Sequence, residues 1–284
     1  MDTKLAPSVP SPESVEDNTF TFVNRRYEFD RIDWEFAEYG KLWTYHLNYF
    51  DWLQQTNMSG DTGVNLMKDY VNNVEARTTA WEPYVISLRT VNWIKFLIKH
   101  HIKDRVIDSF LYTSCSLLYT YPEYHIDGNH LLENACSLLF GAYYFRHELF
   151  YKKSARLIRN CLREQVLADG AHFELSPMYH QILLFRLLDC INLLQNNIPP
   201  QAPLNKGGCP PWRTGGIEES DLLSFLREKV ALMLYWLQSM TFGNGDIPMV
   251  NDSFPNQAPS TQQLIAYAER LRIIDVNSSN DQII

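Results

Sequence analysis

The sequence predicts an all-helical protein in which helices pack on helices, and two observations carry that expectation. From Leu42 onward, apolar residues recur at three- and four-residue intervals in one segment after another. Strand-like alternation is weak and local, confined to Thr19 to Phe29 and to a brief extension, Ala171 to Leu175, after the Asp169-Gly170 turn. The helical segments number about nine, which exceeds a four-helix bundle and suits a solenoid or toroid of antiparallel hairpins. No tetratricopeptide- or ankyrin-type repeat is present, so the ring-like reading rests on element count and spacing.

In chain order the periodicity places helices at Trp43 to Gln54, Val64 to Arg77, Tyr84 to His100, Ile107 to Thr120 and His130 to Tyr151. Further segments run over Ala155 to Leu167, Pro177 to Gln195, Leu222 to Met240 and Thr261 to Ile274. Ser176-Pro177 reads as an N-cap with proline at the first helical position, and Ser220-Asp221 and Ser260-Thr261 read as further caps. Pro199 to Gly216 is a long surface loop or groove wall, and Gly243 to Pro248 is a second turn-rich break.

Met1 to Phe20 carries Pro, Ser, Glu and Asp without an apolar stretch, so it does not read as a secretory signal or membrane anchor. Residues 1–18 are therefore expected to form a disordered lead, and residues 19–284 a single helical domain. On the sequence as given the protein is expected to be cytoplasmic, or periplasmic or secreted if its N-terminus is incomplete. No run of apolar residues is long enough to predict membrane insertion.

Hydrophobic residues make up 45% of the 284, with 16 Tyr, 15 Phe and 7 Trp, a composition that suits a large core or a carbohydrate groove. A formal charge of −8 argues against a surface that coats nucleic acid, so an anionic substrate must meet a local basic site. Cys115, Cys136, Cys161, Cys190 and Cys209 lack CxxC spacing, and the histidines lack HxH or HExxH spacing, so neither a disulfide framework nor a metal site is predicted, and no cofactor is implied. Nucleotide-binding and serine-hydrolase motifs are absent.

Two stretches concentrate chemistry. Gly128-Asn129-His130, followed by Glu133-Asn134, opens one apolar helix; Asp169-Gly170-Ala171-His172-Phe173-Glu174 with Ser176-Pro177-Met178-Tyr179-His180 leads into another. Helix N-termini favour anions, and an amide and an imidazole there can meet a carboxylate. Asn129 either caps its helix or turns its amide to substrate, with Asp127 as the alternative cap. The helix dipole disfavours an imidazolium at His130, so a neutral donor is expected. Tyr179 is either a core residue or a phenol tuned by His180, His172 and Glu174. Trp81, Tyr84 and Trp93 lie at core-like helical spacing, yet at groove positions they stack on sugars, and Arg89 offers a fork for a uronate or sulfate.

The ordered series Trp81-Glu82-Pro83-Tyr84, Ser87-Leu88-Arg89, Asn92-Trp93, Gly128-Asn129-His130-Leu131, Glu133-Asn134, Asp169-Gly170, Phe173-Glu174 and Ser176-Pro177-Met178-Tyr179-His180 resembles the heparinase II/III family. Gly245-Asp246-Ile247-Pro248 with Asn251-Asp252-Ser253 is similar to the end of that family's helical domain. The resemblance spans roughly Leu42 to Ser253 and implies an incomplete α/α toroid that binds an acidic polysaccharide and cleaves it by β-elimination. It assigns Asn129 and His130 to neutralising a uronate carboxylate and Tyr179 to proton exchange, with His180 a weaker carry-over. Arg89, Trp93, Trp81, Tyr84, Glu174 and His172 are then expected to bind substrate. Family members typically continue into a β-sandwich that supplies further groove residues, so a continuation of this chain is an expected partner. The competing readings are a toroidal glycoside hydrolase using Glu82, Glu174, Asp246 or Asp252, and a non-catalytic glycan-binding partner in capsule or exopolysaccharide production.

Overall fold

Helix starts are where local chemistry acts most directly, because the first N–H groups of a helix have no partner within it. The computed structural model describes residues 3–75, 78–126, 128–200, 220–255 and 257–273. Ser59 caps α2 (Gly60–Asn73) by accepting from the Thr62 N–H at 3.1 Å. Asp104 caps α4 (Arg105–Thr120) through the N–H groups of Val106 and Ile107. Ser260 forms a reciprocal capping box with Gln263 at α9 (Thr261–Arg270). Proline occupies the first position of both α3 (Pro83–Lys99) and α7 (Pro177–Asn196), where its missing N–H costs nothing.

The remaining helices are α1 (Lys41–Tyr49), α5 (His130–Phe145), α6 (Glu148–Gln165) and α8 (Ser220–Met240). A 3₁₀ turn at Asp51–Gln54 follows α1 because Phe50 is left-handed, with φ of 56°, and breaks what the periodicity reads as one helix. The predicted helix from His130 to Tyr151 is also two. Arg146 turns left-handed at φ 55°, the His147 N–H closes back on the Ala142 carbonyl, and His147 Nδ1 then accepts from the Phe150 N–H at the start of α6. Neither Arg nor His is a usual breaking residue, so the sequence carries no punctuation there. Residues 201–216 of the predicted loop, the caps proposed at Ser220 and Asp221, and Cys209 lie outside the described residues and side chains.

The chain divides into two compact units: Met1–Thr3 with Pro10–Lys153, and Lys4–Val9 with Ser154–Ile284. In the first, α3 packs against α5, α4 and α1. Nearly every α3 position from Val85 to Ile98 is buried, so this helix is enclosed on all sides rather than along one stripe. The weak alternation at Thr19 to Phe29 forms a small antiparallel sheet, β1 (Val15–Glu16), β2 (Thr19–Phe22) and β3 (Arg25–Glu28), in that order. Phe20 and Phe22 of β2 point inward, and Phe20 meets the rings of Phe29, Trp34 and Trp52. Val23 and Asn24 both take positive φ between β2 and β3, as a two-residue hairpin turn requires.

In the second unit α7 packs against α8 and α9. Its N-terminal segment differs from the disordered lead expected over residues 1–18. Asn197 exchanges hydrogen bonds with the Lys4 backbone at 2.7 Å, and Asn192 does so with Ala6. Ser8 Oγ donates to Asp189 at 2.8 Å. The α7 amides act as strand partners for an extended segment, which satisfies backbone groups that a polar composition suggested would stay in water. Val15, further on, is buried in the first unit.

A tight reversal joins α6 to the stretch ahead of α7. The Gly170 N–H donates to the Leu167 carbonyl, Leu167 N–H to Ala171, and Val166 bridges antiparallel to His172. Gly170 has φ of 92°, and a Cβ there would sit 2.2 Å from the Leu232 carbonyl oxygen. Gly170→Ala is expected to lower stability by about 2–3 kcal/mol, through left-handed strain plus a backbone clash that cannot rotate away. Urea unfolding checks this, and an unchanged midpoint would refute it.

Cys115, Cys136, Cys161 and Cys190 are buried and form no disulfide among the described residues, and burial pushes the Cys115 thiol up to about 12. Among the described residues no helix is long and apolar enough to cross a membrane.

Candidate functional site

In the first unit, Gly128 at φ 85° turns the chain into α5 and sets Asn129 at the N-cap position. Asn129 makes no capping hydrogen bond, and its own backbone is already helical at φ −84° and ψ −1°. Its half-buried amide is thus not used to close the helix. His130 follows at the first helical position, with 33% of its side chain exposed. Its ring lies against Tyr84 of α3 at a centroid distance of 4.4 Å. Nδ1 stands 3.3 Å from Glu123 Oε1 in the loop that precedes α5. A carboxylate accepts only, so Nδ1 carries the proton in that contact and Nε2 is the nitrogen left to meet a ligand.

Glu123 is held from behind. Its Oε2 accepts from Asn134 Nδ2 at 3.1 Å, and its backbone N–H donates to Asn134 Oδ1 at 2.8 Å. Asn134 Nδ2 also donates to Ser87 Oγ, which in turn donates to the Pro83 carbonyl. Ser87 and Asn134 are fully buried and Glu123 is 5% exposed. Sequence reasoning singled out none of the three for this role. Glu123 sits seven residues before His130 in a loop outside any helix, so only the fold brings the two together. Glu133, one turn into α5, is buried.

In the second unit Ser176 caps α7 by accepting from the Tyr179 N–H at 3.3 Å. Ser253 reinforces the cap, its Oγ lying 3.0 Å from Ser176 Oγ and accepting from the Met178 N–H. Asn251 and Asp252 both take left-handed φ, and the Asn251 amide donates to the Leu175 carbonyl. The Asn251-Asp252-Ser253 motif therefore works structurally: it folds back and fixes the first turn of α7, which carries Tyr179. That phenol is half-buried. Burial, then the charges of Asp252 and Glu174, push its pKa up and hold it protonated.

His180 and His172 are placed differently from the sequence expectation. His180 is fully buried, its Nδ1 accepts from the His172 backbone N–H at 3.3 Å, and its Nε2 donates to the Met233 carbonyl at 3.0 Å. Both nitrogens serve the backbone, so His180 is a structural residue and not a proton carrier. His172 is 1% exposed, and neither ring nitrogen has a hydrogen-bond partner among the described residues. Burial lowers both imidazoles to about 4. Of the residues expected around Tyr179, only Glu174 remains partly accessible beside it.

Arg89 and Trp93 also lie inside. Arg89 is 1% exposed, and Trp93 is fully buried with no hydrogen-bond partner for its indole N–H among the described residues. The guanidinium donates to Tyr70 Oη and to the Ala80 carbonyl, and its carbon lies 4.9 Å from the Tyr70 ring centroid, 5.3 Å from that of Phe110 and 5.9 Å from that of Trp81. A helix enclosed on all sides carries its charged residue into the core. Trp81, half-buried, donates its indole N–H to the Glu75 carbonyl and packs on Phe110. Of the predicted residues, the fold thus assembles Tyr84, Asn129 and His130 in one unit and Glu174 and Tyr179 in the other. Glu82, a candidate hydrolase acid, is committed to Lys41 at 2.8 Å and to the Tyr45 phenol at 2.5 Å.

No curated protein matches the sequence. Among solved structures, the chain is similar to heparan sulfate lyase HepC from Pedobacter heparinus, with TM-score 0.56 and 17% identity over 90% of this chain and 42% of that one. It is similar also to heparinase III, with TM-score 0.60 and 17% identity over 85% of this chain and 38% of that one. The chain spans about two fifths of the length of these enzymes, and the likeness carries the fold class: helical hairpins of the α/α-toroid kind. In sequence, residues 30–201 match the family described as Heparinase II/III N-terminus. That match takes in more than half of the chain, including Asn129, His130 and Tyr179, and the protein belongs to the heparinase II/III family.

Proposed function

We propose that this chain is the helical part of a polysaccharide lyase that cleaves a uronic-acid-containing glycan by β-elimination. The observation that carries the reading is the start of α5, where an amide free of capping duty adjoins a carboxylate-held imidazole with an open Nε2. In β-elimination the C5 proton leaves to a base, its electron pair forms the C4–C5 double bond, and the C4–O bond breaks as the leaving oxygen gains a proton. Negative charge builds on a carboxylate that is already anionic, so donors aimed at it stabilise the transition state more than the ground state. Asn129 and His130 are the groups for that carboxylate, and α5's own N-terminus favours the same charge. Tyr179, held protonated, suits proton exchange at the leaving oxygen.

The test follows ultraviolet absorbance of the unsaturated uronate during incubation with alginate, heparan sulfate, hyaluronan and capsular polysaccharides. Absorbance should rise on at least one. Tyr179→Phe and Asn129→Ala should each slow turnover by about a hundredfold. New reducing ends without unsaturation would replace elimination by hydrolysis, and glycan binding without turnover, indifferent to Tyr179→Phe, would make the chain a binding module.

A further inference from the structure

We propose that Glu123 is a positioning residue that fixes the Nδ1–H tautomer of His130 and so dedicates Nε2 to the substrate's acidic group. The polarity of the whole chain of hydrogen bonds behind Glu123 is determined from two backbone groups. The Pro83 carbonyl accepts from the Ser87 hydroxyl, so Ser87 Oγ is left as an acceptor and takes an N–H from Asn134. At its other end Asn134 Oδ1 accepts from the Glu123 backbone N–H, which rules out the flipped amide. Asn134 Nδ2 therefore donates to Glu123 Oε2, and Glu123 Oε1 is presented to His130 Nδ1. No member of this series can reverse without leaving a buried donor facing a donor or an acceptor facing an acceptor.

A carboxylate on Nδ1 has two consequences for the ring. It keeps Nδ1 as the donor whichever charge state the ring is in, which is the reverse of the tautomer preferred by free histidine. It also leaves Nε2 as the ring nitrogen that meets the substrate, and an Nε2–H facing an anionic sugar makes a charge-assisted hydrogen bond. Among the described residues, the titratable groups against the ring are Glu123 and the Tyr84 phenol, and Glu133 lies buried one turn along α5.

This inference rests on His130 facing substrate, but the tautomer is read without any substrate. Ring ¹⁵N chemical shifts of His130 in the intact protein should show a protonated Nδ1 and a bare Nε2 in the neutral form. In Glu123→Gln, Asn134 Nδ2 claims the new carbonyl oxygen, the new NH₂ turns toward His130, and the proton should move to Nε2. On a substrate that the protein cleaves, Glu123→Gln should lower kcat about tenfold with a smaller change in KM, the difference between a charge-assisted and a neutral hydrogen bond to charge that builds in the transition state. A wild-type His130 carrying its neutral-form proton on Nε2 would overturn the proposal, whether or not the variant folds. An unchanged tautomer in a folded Glu123→Gln would also do so. The expected tautomers in a protein that cleaves no glycan would leave the positioning intact and sink the lyase reading instead.

Discussion

Between pH 6.5 and about 4 the second unit is expected to lose stability at roughly 1.4 kcal/mol per pH unit for each of His172 and His180. Both are lowered from 6.5 to about 4 because burial penalises the imidazolium. The unfolded chain takes up these two protons as pH drops through 6.5, whereas the folded unit takes them up only near 4. Protons thus favour the unfolded state across this window, and the contribution is fully present above pH 6.5. Summed over the window, each residue accounts for about 3 kcal/mol, a large part of a typical domain's stability. His172→Leu separates the two. That substitution keeps the volume and removes two nitrogens that have no hydrogen-bond partner, so stability at pH 7 should change little while the acid slope halves. His180 has no such substitute, because its ring links the His172 N–H to the Met233 carbonyl. Urea midpoints measured from pH 7.5 to 4 decide the matter, and a flat profile above pH 5 would exclude the prediction.

Those two histidines also show where sequence reading stopped. Helix class and most helix starts were legible because caps and first-turn prolines act over three or four residues: Ser176-Pro177 and Ser260 behave as their local chemistry dictates. The break at Arg146 was not, since the local hydrogen bonds that close it, from the His147 N–H to Ala142 and from the Phe150 N–H to His147 Nδ1, come from residues that are not usual helix stops or caps. The helix-start positions of Asn129, His130 and Tyr179 were legible from their spacing and from the ordered motifs around them. His172 and His180 were drawn to catalysis by adjacency in sequence, yet adjacent helical residues point to different faces, and His180 faces Trp236 while Tyr179 stays half exposed. Glu123 was invisible because a loop residue acquires its partner only in three dimensions. Arg89, by contrast, carried a usable signal: apolar residues lie on every side of its helix, which predicts enclosure and not a groove.

Arg89→Ala is accordingly expected to destabilise the first unit by about 3–5 kcal/mol, and to do so through the core instead of through substrate. Two losses add. The guanidinium is one end of a directed series in which Arg89 donates to Tyr70 Oη, Tyr70 donates to Asn48 Oδ1 at 2.8 Å, and Asn48 donates to the Trp34 and Thr44 carbonyls. Truncation leaves Tyr70 Oη and the Ala80 carbonyl without that donor, and opens a cavity bounded by Tyr70, Trp81 and Phe110. Burying the charge is itself costly: burial lowers the guanidinium pKa, with Tyr70 and Glu35 opposing, and Nη2 has no hydrogen-bond partner among the described residues. Arg89→Met, which refills the volume and removes that charge, should therefore recover about half of the loss. Lysine should not, because a single ammonium cannot reproduce the guanidinium's planar contacts with Tyr70, Trp81 and Phe110. If Arg89 instead bound an acidic sugar, Arg89→Met would abolish glycan binding at temperatures where the variant is fully folded. With the side chain enclosed, binding well below the melting transition should match wild type, and a loss of binding without a loss of stability would return Arg89 to the site.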